Sequence, residues 1–483
     1  MMRKFGALAL LLPLAGCITP GPRAETTLPL APAAAGNAAI APIRPEHGPA
    51  QVFVEGGHVP ARWWQGFASP ALDALVEQAL AGNNDIAAAD AALRQARSLA
   101  GATAAGALPQ VTAGYSAQRA KASDIVSPPL ADPNDTLYTL HTAQLSVTYP
   151  LDVFGGGRAK IRSARAAAEA QDFRTRAART TVVANLVLAV IQHAQVQEQL
   201  AAARQAMAAG RDLLALLQRR RELGAAGDAD VAAQEATLAA LEASVPGLER
   251  TALHQQALIA AFIGVAPGTP LPPLPTLADL HLPAELPVAV PSQLVAERPD
   301  VRAAAAQMKG AAADVGAAIA ARLPAFQISG NVGGSALKFG EMFADGNLFW
   351  QVLGEVAQPI FDGGQLLKQK HAADAAFVAA KAQYRASALQ AFVDVSDALE
   401  GLSTDAAALD AAARGDGAAA RSLAYTLRQN QLGGVGVFDL RNAEVARAQA
   451  AQTYAQAKAA RLADTVALYQ ALGAGVVAGE PRK

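Results

Sequence analysis

The sequence predicts a mainly α-helical fold with a transmembrane β component, built from two internal repeats. Three observations predict it. Proline is absent from residues 151–245 and again from 360–479, which leaves room for very long helices. Four short segments alternate apolar and polar residues with the period of two that marks a strand. Landmarks also recur at fixed spacing. Asp85 and Asp300, like Pro109 and Pro324, stand 215 positions apart. Pro150 and Pro359, Gly224 and Gly433, Asp230 and Asp439, and Glu235 and Glu444 stand 209 apart. A single length difference between Pro109 and Pro150 accounts for the change of offset.

Residues 1–16 are expected to be a lipoprotein signal peptide. Arg3 and Lys4 make a basic start, and Phe5 to Leu14 form an apolar run too short to span a bilayer. Leu14-Ala15-Gly16-Cys17 is the small-residue pattern that a lipoprotein signal peptidase reads. Cleavage before Cys17 would leave it free to carry acyl chains, each worth about 0.8 kcal/mol per buried methylene. Cys17 is the sole cysteine, so no disulfide framework or cysteine-based metal site is available. Ile18 stands where an aspartate would signal inner-membrane retention, and the expected address is therefore the outer membrane, with the body extending into the periplasm. Residues 17–60, rich in proline, alanine and glycine without a period, read as a flexible lipid-anchored tether.

The first repeat is expected over 61–266. A helical pattern opens at Asn84-Asp85 and stops at Leu108-Pro109. A strand hairpin follows over 109–149. Val111, Ala113, Tyr115 and Ala117 alternate with Gln110, Thr112, Ser116 and Gln118, and Ala143, Leu145, Val147 and Tyr149 with Gln144, Ser146 and Thr148. Its turn, from Ser127 to Asn134, is polar and proline-rich. Residues 158–222 as one helix would extend roughly 100 Å at about 1.5 Å per residue. Gly224 and Gly227 then break it. A proline-dense connector, 267–298, leads to the second repeat over 299–475. There the hairpin 324–359 sets Phe326, Ile328 and Val332 against Gln327, Ser329 and Asn331, then Trp350, Val352 and Val356 against Gln351 and Glu355. Phe349 and Leu353 blur the second alternation. Gly433, Gly434 and Gly436 fall where the first repeat breaks, and 476–483 is a short tail.

Composition narrows the function. Hydrophobic residues reach 52% with only 5% aromatic, so alanine, the best helix former, carries much of the apolar fraction. A net charge of −1 gives no reason to expect nucleic acid. The seven histidines are scattered without an HExxH pair, and neither a GxSxG elbow nor a P-loop is present. Gly155-Gly156-Gly157-Arg158 lacks the following Gly-Lys-Ser/Thr and reads as a turn between strand and helix. No catalytic residue, metal ligand or cofactor site is expected. Four amphipathic strands cannot close a barrel, since single-chain barrels begin at about eight. An open edge in lipid leaves unpaired backbone groups at several kcal/mol each. The strands are therefore expected to be shared among copies in a closed oligomer. A small soluble sandwich would explain neither the Cys17 motif nor the helix length.

These residues resemble the outer-membrane efflux protein family, the TolC-like and NodT-like outer-membrane factors, over nearly the whole mature chain. Trp63-Trp64 with Phe67, Tyr149-Pro150-Leu151-Asp152-Val153-Phe154-Gly155, Pro291-Ser292-Gln293-Leu294 and Arg298-Pro299-Asp300-Val301-Arg302 carry the resemblance, together with Ala318 to Pro324 and Leu468-Tyr469-Gln470-Ala471-Leu472-Gly473. Ala305 departs from the family's glutamate. The resemblance implies a homotrimer with four strands per protomer in a twelve-stranded β-barrel and a long α-helical periplasmic barrel. It implies a passive exit duct for an inner-membrane pump of the resistance-nodulation-division (RND) type, joined through a periplasmic adaptor. A duct for type I protein secretion, and a pore-less adaptor or structural lipoprotein, are the competing possibilities. The family's gate would fall at Leu223–Val231 and Leu432–Leu440. Asp439 matches its first aspartate, Asn442 replaces the second, Phe438 takes an often constricting position, and Asp230 lacks its usual partners, whose places are held by Asn430 and Val435. Three copies of Asp439 would form a cation-favouring carboxylate ring. Asp230 and Asp439 also fit plain helix-start acids, and the two roles are compatible.

Overall fold

The computed structural model describes residues 22–24, 43, 50–55, 59–121, 137–288 and 297–473. Cys17, the leader, the turn from Ser127 to Asn134, Pro291 to Leu294 and the tail lie outside the described residues. Element order repeats. α1 (Pro70–Gly82) precedes α2 (Asn84–Ala105), strands β2 (Gln110–Lys121) and β3 (Leu137–Leu151), then α3 (Gly156–Glu222) and α4 (Asp228–Phe262). The second set is α5 (Pro299–Ala320), β5 (Ala325–Ala336), β6 (Leu348–Ala357), α6 (Gln365–Gln431) and α7 (Val437–Ala471). The lengths match helix for helix: 22 residues in α2 and α5, 67 in α3 and α6, and 35 in α4 and α7.

Each long helix stops at a glycine. Gly224 and Gly433 take φ of +71° and +75°, a left-handed conformation that an L side chain resists. The next N–H groups, from Ala225 and Gly434, reach back to the Arg220 and Gln429 carbonyls at 2.7 and 2.8 Å. That i to i−5 bond is the Schellman closure of a helix end. α4 continues through Pro246, past the end of the proline-free stretch 151–245. Val245 packs with Leu200 and Ala203 of α3, and Leu248 adds to that cluster, so tertiary contact outweighs the one backbone bond that proline forfeits.

The chain forms two compact units. One comprises Arg94–Ala170 and Ala304–Gln383. It holds the four-stranded antiparallel sheet in the order β2-β3-β5-β6. The other comprises Thr27–Leu93, Gln171–Ala303 and Tyr384–Lys483. Its core gathers Trp63, Trp64, Phe67, Leu72, Leu75, Val183, Leu186, Val190, Ile259, Leu402 and Leu468, all buried. Trp63 stacks on Tyr469 at 5.3 Å between ring centres and meets Trp64 edge-on. Two stretches of the family resemblance thus face each other in the core. α3 contains an apolar window long enough to cross a membrane, but most of that window is buried within the protein. Residues 17–60 were expected as an unstructured tether; Val52–Glu55 is instead a strand, β1, parallel to β4 (Glu285–Val288) from the connector.

Candidate functional site

The sheet is the first site feature. Register places Val111, Ala113 and Tyr115 of β2 opposite Val147, Leu145 and Ala143 of β3. Tyr149, Val147 and Leu145 stand in turn opposite Ile328, Gly330 and Val332 of β5. Val332, Gly330 and Phe326 face Trp350, Val352 and Val356 of β6. One face is therefore apolar from edge to edge. The opposite face carries Gln110, Thr112, Ser146, Thr148, Gln327, Ser329, Asn331, Gln351 and Glu355. Trp350 is 78% exposed, and Val111, Val352 and Val356 are also open. The outer edges of β2 and β6 pair with nothing among the described residues. Phe339, from the turn joining β5 and β6, packs edge-on against Tyr115 and His141, whose side chains hydrogen-bond at 2.8 Å.

Where strand gives way to helix, the glycine-rich turns are closed by their own aspartates. Asp152 accepts the Gly157 and Arg158 N–H groups, both at 2.8 Å. Asp362 accepts those of Gly364 and Leu366, again at 2.8 Å. A carboxylate of the chain itself thus fills the cradle that a phosphate would need.

The second feature is the pair of tips where α3 turns into α4 and α6 into α7. Val231 and Val437 are buried together with Leu213 and Leu217, so the two repeats share one small apolar cluster there. Each tip helix starts with its aspartate reaching back. The Asp230 carboxylate accepts the Gly227 N–H at 3.2 Å, and Asp439 accepts that of Gly436 at 3.0 Å. These bonds satisfy one orphan donor and place a negative charge at the positive end of the helix dipole. Phe438 is exposed although its neighbour Val437 is buried, and the Arg441 guanidinium lies 4.6 Å from its ring centre. Asp439 and Asn442 are both exposed and three residues apart, which puts them on one helical face. Asn430 donates to the Val435 carbonyl at 3.1 Å, so the two altered positions bond to each other within a single tip. Below the tips, Arg211–Glu242 and Arg204–Glu249 tie α3 to α4, and Arg447–Asp416 ties α6 to α7.

A third feature escaped the sequence reading. Arg298 donates to both Asp300 oxygens at 3.1 and 2.8 Å, to Asp394 at 2.8 Å and to the Ala471 carbonyl at 3.0 Å. Burial disfavours its charge, but Asp300 and Asp394 more than restore it, so its pKa rises. Arg302 lies over the Phe173 ring at 4.7 Å. Arg461, buried, donates to the Leu402 carbonyl and to Gln51. Beside it Asp464 is pushed up to about 6 by burial and by Asp405, with which it shares a hydrogen bond. Arg298 and Asp300 stand together in the Arg298–Arg302 motif, but Asp394 and the Ala471 carbonyl reach Arg298 only through the fold. Arg461 gave no signal, sitting in an alanine-rich helix like many solvent-facing arginines. No cluster of potential metal ligands occurs among the described residues.

Comparison with known proteins agrees with this geometry. The profile of the "Outer membrane efflux protein" family matches residues 75–265 and 290–474, one segment in each repeat. The pyoverdine export outer membrane protein OpmQ of Pseudomonas putida is 30% identical, with 100% of this chain and 99% of that protein covered. The toluene efflux pump outer membrane protein TtgF, from another strain of the same species, is 28% identical over 70% of this chain and 69% of its own length. Among solved structures, the outer-membrane channel OprN superposes with a TM-score of 0.80 at 26% identity, covering 93% of this chain and 99% of that one. The fold is mainly α with strands of transmembrane type in two internal repeats, as the sequence predicted. The chain belongs to the outer membrane efflux protein family, and it is an outer-membrane efflux channel rather than an enzyme.

Proposed function

We propose that the chain is the passive exit duct of a tripartite efflux system, working with an inner-membrane RND-type pump through a periplasmic adaptor. Three copies close one twelve-stranded barrel, each donating four strands. The observation that carries this reading is the four-stranded sheet with one exposed apolar face and two edges that pair with nothing among the described residues. Such a sheet is stable in lipid only when neighbours complete it. A small-molecule cargo is supported over a secreted protein by relatives named for pyoverdine export and toluene efflux. Residues 1–16 are removed and Cys17 is acylated. The connector, 267–298, joins the two repeats, 61–266 and 299–475.

The gate lies at the tips. Phe438 and Asp439 are exposed at the start of α7, where three copies would bring them round one axis. Asn442 weakens a second ring, and Asp230 holds the start of α4. The deciding experiment is reconstitution in planar bilayers, with a gel of the unheated protein. A heat-dissociable trimer that conducts ions supports the duct. A monomer that never conducts would refute it. Hypersensitivity of a deletion strain to antibiotics or metals identifies the cargo class, and unaltered susceptibility to both directs attention to protein export.

A further inference from the structure

The turn that joins β5 to β6, residues 337–347, folds back over the apolar face of the sheet. Alternation along β5 puts Gly334 on that face, where an added β-carbon would run into the Met342 carbonyl. Phe339 reaches further, across β3 to β2, and meets the His141 and Tyr115 rings at 6.0 and 5.7 Å between centres. The turn bonds its own backbone: the Glu341, Ala344 and Asn347 N–H groups donate to the Lys338, Glu341 and Ala344 carbonyls at 3.1, 3.0 and 3.1 Å. Those bonds lower the cost of lying on an apolar surface. Beneath the turn is a groove of about 580 Å³. Its floor is Ala113 and Ala143, set between the larger Tyr115, Leu145 and Val332, and Phe343 comes from the turn. The Tyr115 hydroxyl is already bonded to His141, so the groove suits an aliphatic chain.

Past the groove, toward the strand ends away from α2 and α3, the same face turns basic. The β2–β3 ladder runs without a break to Lys121, so Arg119 and Lys121 follow Tyr115 and Ala117 on the apolar face. They stand opposite Thr139 and Leu137, not opposite acids. Both are exposed and make no ion pair among the described residues. At about 3.4 Å per residue they lie about 7 Å apart along β2. Lys338 opens the turn close by but is tied to Glu341 at 3.2 Å. A cation on a lipid-facing strand costs several kcal/mol at mid-bilayer and little at the interface. Arg119 and Lys121 therefore mark headgroup level, and the groove lies at the depth where acyl chains begin.

We propose that the groove is a lipid site. It takes an acyl chain of a phosphorylated, multiply acylated glycolipid of the lipid A type, with a phosphate of that lipid between Arg119 and Lys121. The proposal rests on the membrane-embedded sheet put forward above. In that reading the strand ends away from α2 and α3 lie in the outward leaflet, where such a lipid is the anionic component. Two cations about 7 Å apart along one strand match a phosphate head. The aliphatic groove directly beneath them matches the chain that the head carries, and Phe343, 64% exposed, adds a ring against it. Basic side chains that only anchor a barrel at the interface need no groove below them.

The test titrates the full-length protein, extracted as assembled trimers in mild detergent and stripped of lipid, and counts bound lipid by native mass spectrometry. The probes are bisphosphorylated lipid A, its dephosphorylated form and phosphatidylglycerol. Bisphosphorylated lipid A should bind most tightly. Arg119→Gln with Lys121→Gln should weaken it roughly thirtyfold, the worth of two cations at an anionic lipid surface. The dephosphorylated lipid should lose a similar factor against the native protein. Ala113→Leu, which fills the groove and keeps both cations, should also weaken binding, whereas Val352→Leu on β6 should not. Equal binding of the three lipids, or native affinity in the double variant or in Ala113→Leu, would overturn the site. If those trimers still conduct ions in bilayers, the duct reading survives that result. Protein that never forms a membrane-inserted trimer removes both.

Discussion

Two tryptophans show how one chain serves two solvents. Trp63 is 1% exposed, stacked on Tyr469 inside a helical core whose largest side chains are hidden by the chain itself. Trp350 is 78% exposed on a sheet face that is apolar from Val111 to Val356. In water the second arrangement would leave more contiguous apolar surface than a soluble monomer tolerates. The difference teaches that exposure in the single chain maps the surfaces meant for lipid and for neighbouring copies. The helical unit closes its own core; the sheet is finished by its surroundings.

Four substitutions sharpen or break that contrast. The largest effect is expected in the self-contained core. Arg298→Ala removes the charge-assisted hydrogen bonds of a buried guanidinium to Asp300, Asp394 and the Ala471 carbonyl; with both carboxylates still partly in water the combined loss is about 3–5 kcal/mol, read as a lower melting temperature of the helical circular-dichroism signal. An unchanged melting temperature would show that the network is ornamental. On the sheet, Val352→Lys should cost about 2–4 kcal/mol in a bilayer and suppress assembly, because the charge faces acyl chains. In a soluble sheet the same change at an exposed position would be nearly neutral, so the contrast itself is tested.

A smaller effect depends on pH. Asp464, with Asp405, Arg461, Asp394, Asp397 and Arg298 around it, keeps its proton up to about pH 6 in the folded protein. The folded state then holds more protons than the unfolded one between about pH 4 and 6. Its contribution is complete at the acid end of that window and lost as pH rises through 6. Asp464→Asn should remove this slope and raise the melting temperature more at pH 7.5 than at pH 4. An equal change at both would exclude Asp464 as its source. The smallest effect on stability belongs to Asp439→Ala, about 0.3–1 kcal/mol from the lost helix-start charge. Its larger readout is conductance, where cation preference should fall. Unchanged selectivity would leave Asp439 as a capping residue alone.

Much of this was legible in the sequence because a repeat tests itself. Gly224 and Gly433 mark helix ends in both copies, and Asp230 and Asp439 do the same work at the next helix start. Alternation exposed the strands because one face meets lipid or partner and the other does not. What stayed hidden needed contacts remote in sequence. Val52–Glu55 pairs with Glu285–Val288 without a local signal, and Arg461 reaches Gln51 across most of the chain. Pro246 inside α4 shows packing overruling a local rule. Among the site residues, Asp439 was visible as a helix-start acid. That Phe438 lies outside the buried cluster while Val437 lies within it could not be read from spacing.

The contrast between the two tryptophans offers the most direct test. The protein would be reconstituted into vesicles whose lipids carry brominated acyl chains, which quench indole fluorescence on contact. Only Trp350, of three tryptophans, lies on the apolar sheet face. The account predicts partial quenching of the native protein and none of Trp350→Phe, whose remaining emission comes from the buried Trp63 and Trp64. Native protein that escapes quenching, or a Trp350→Phe variant quenched to the same degree, would contradict a sheet that faces lipid.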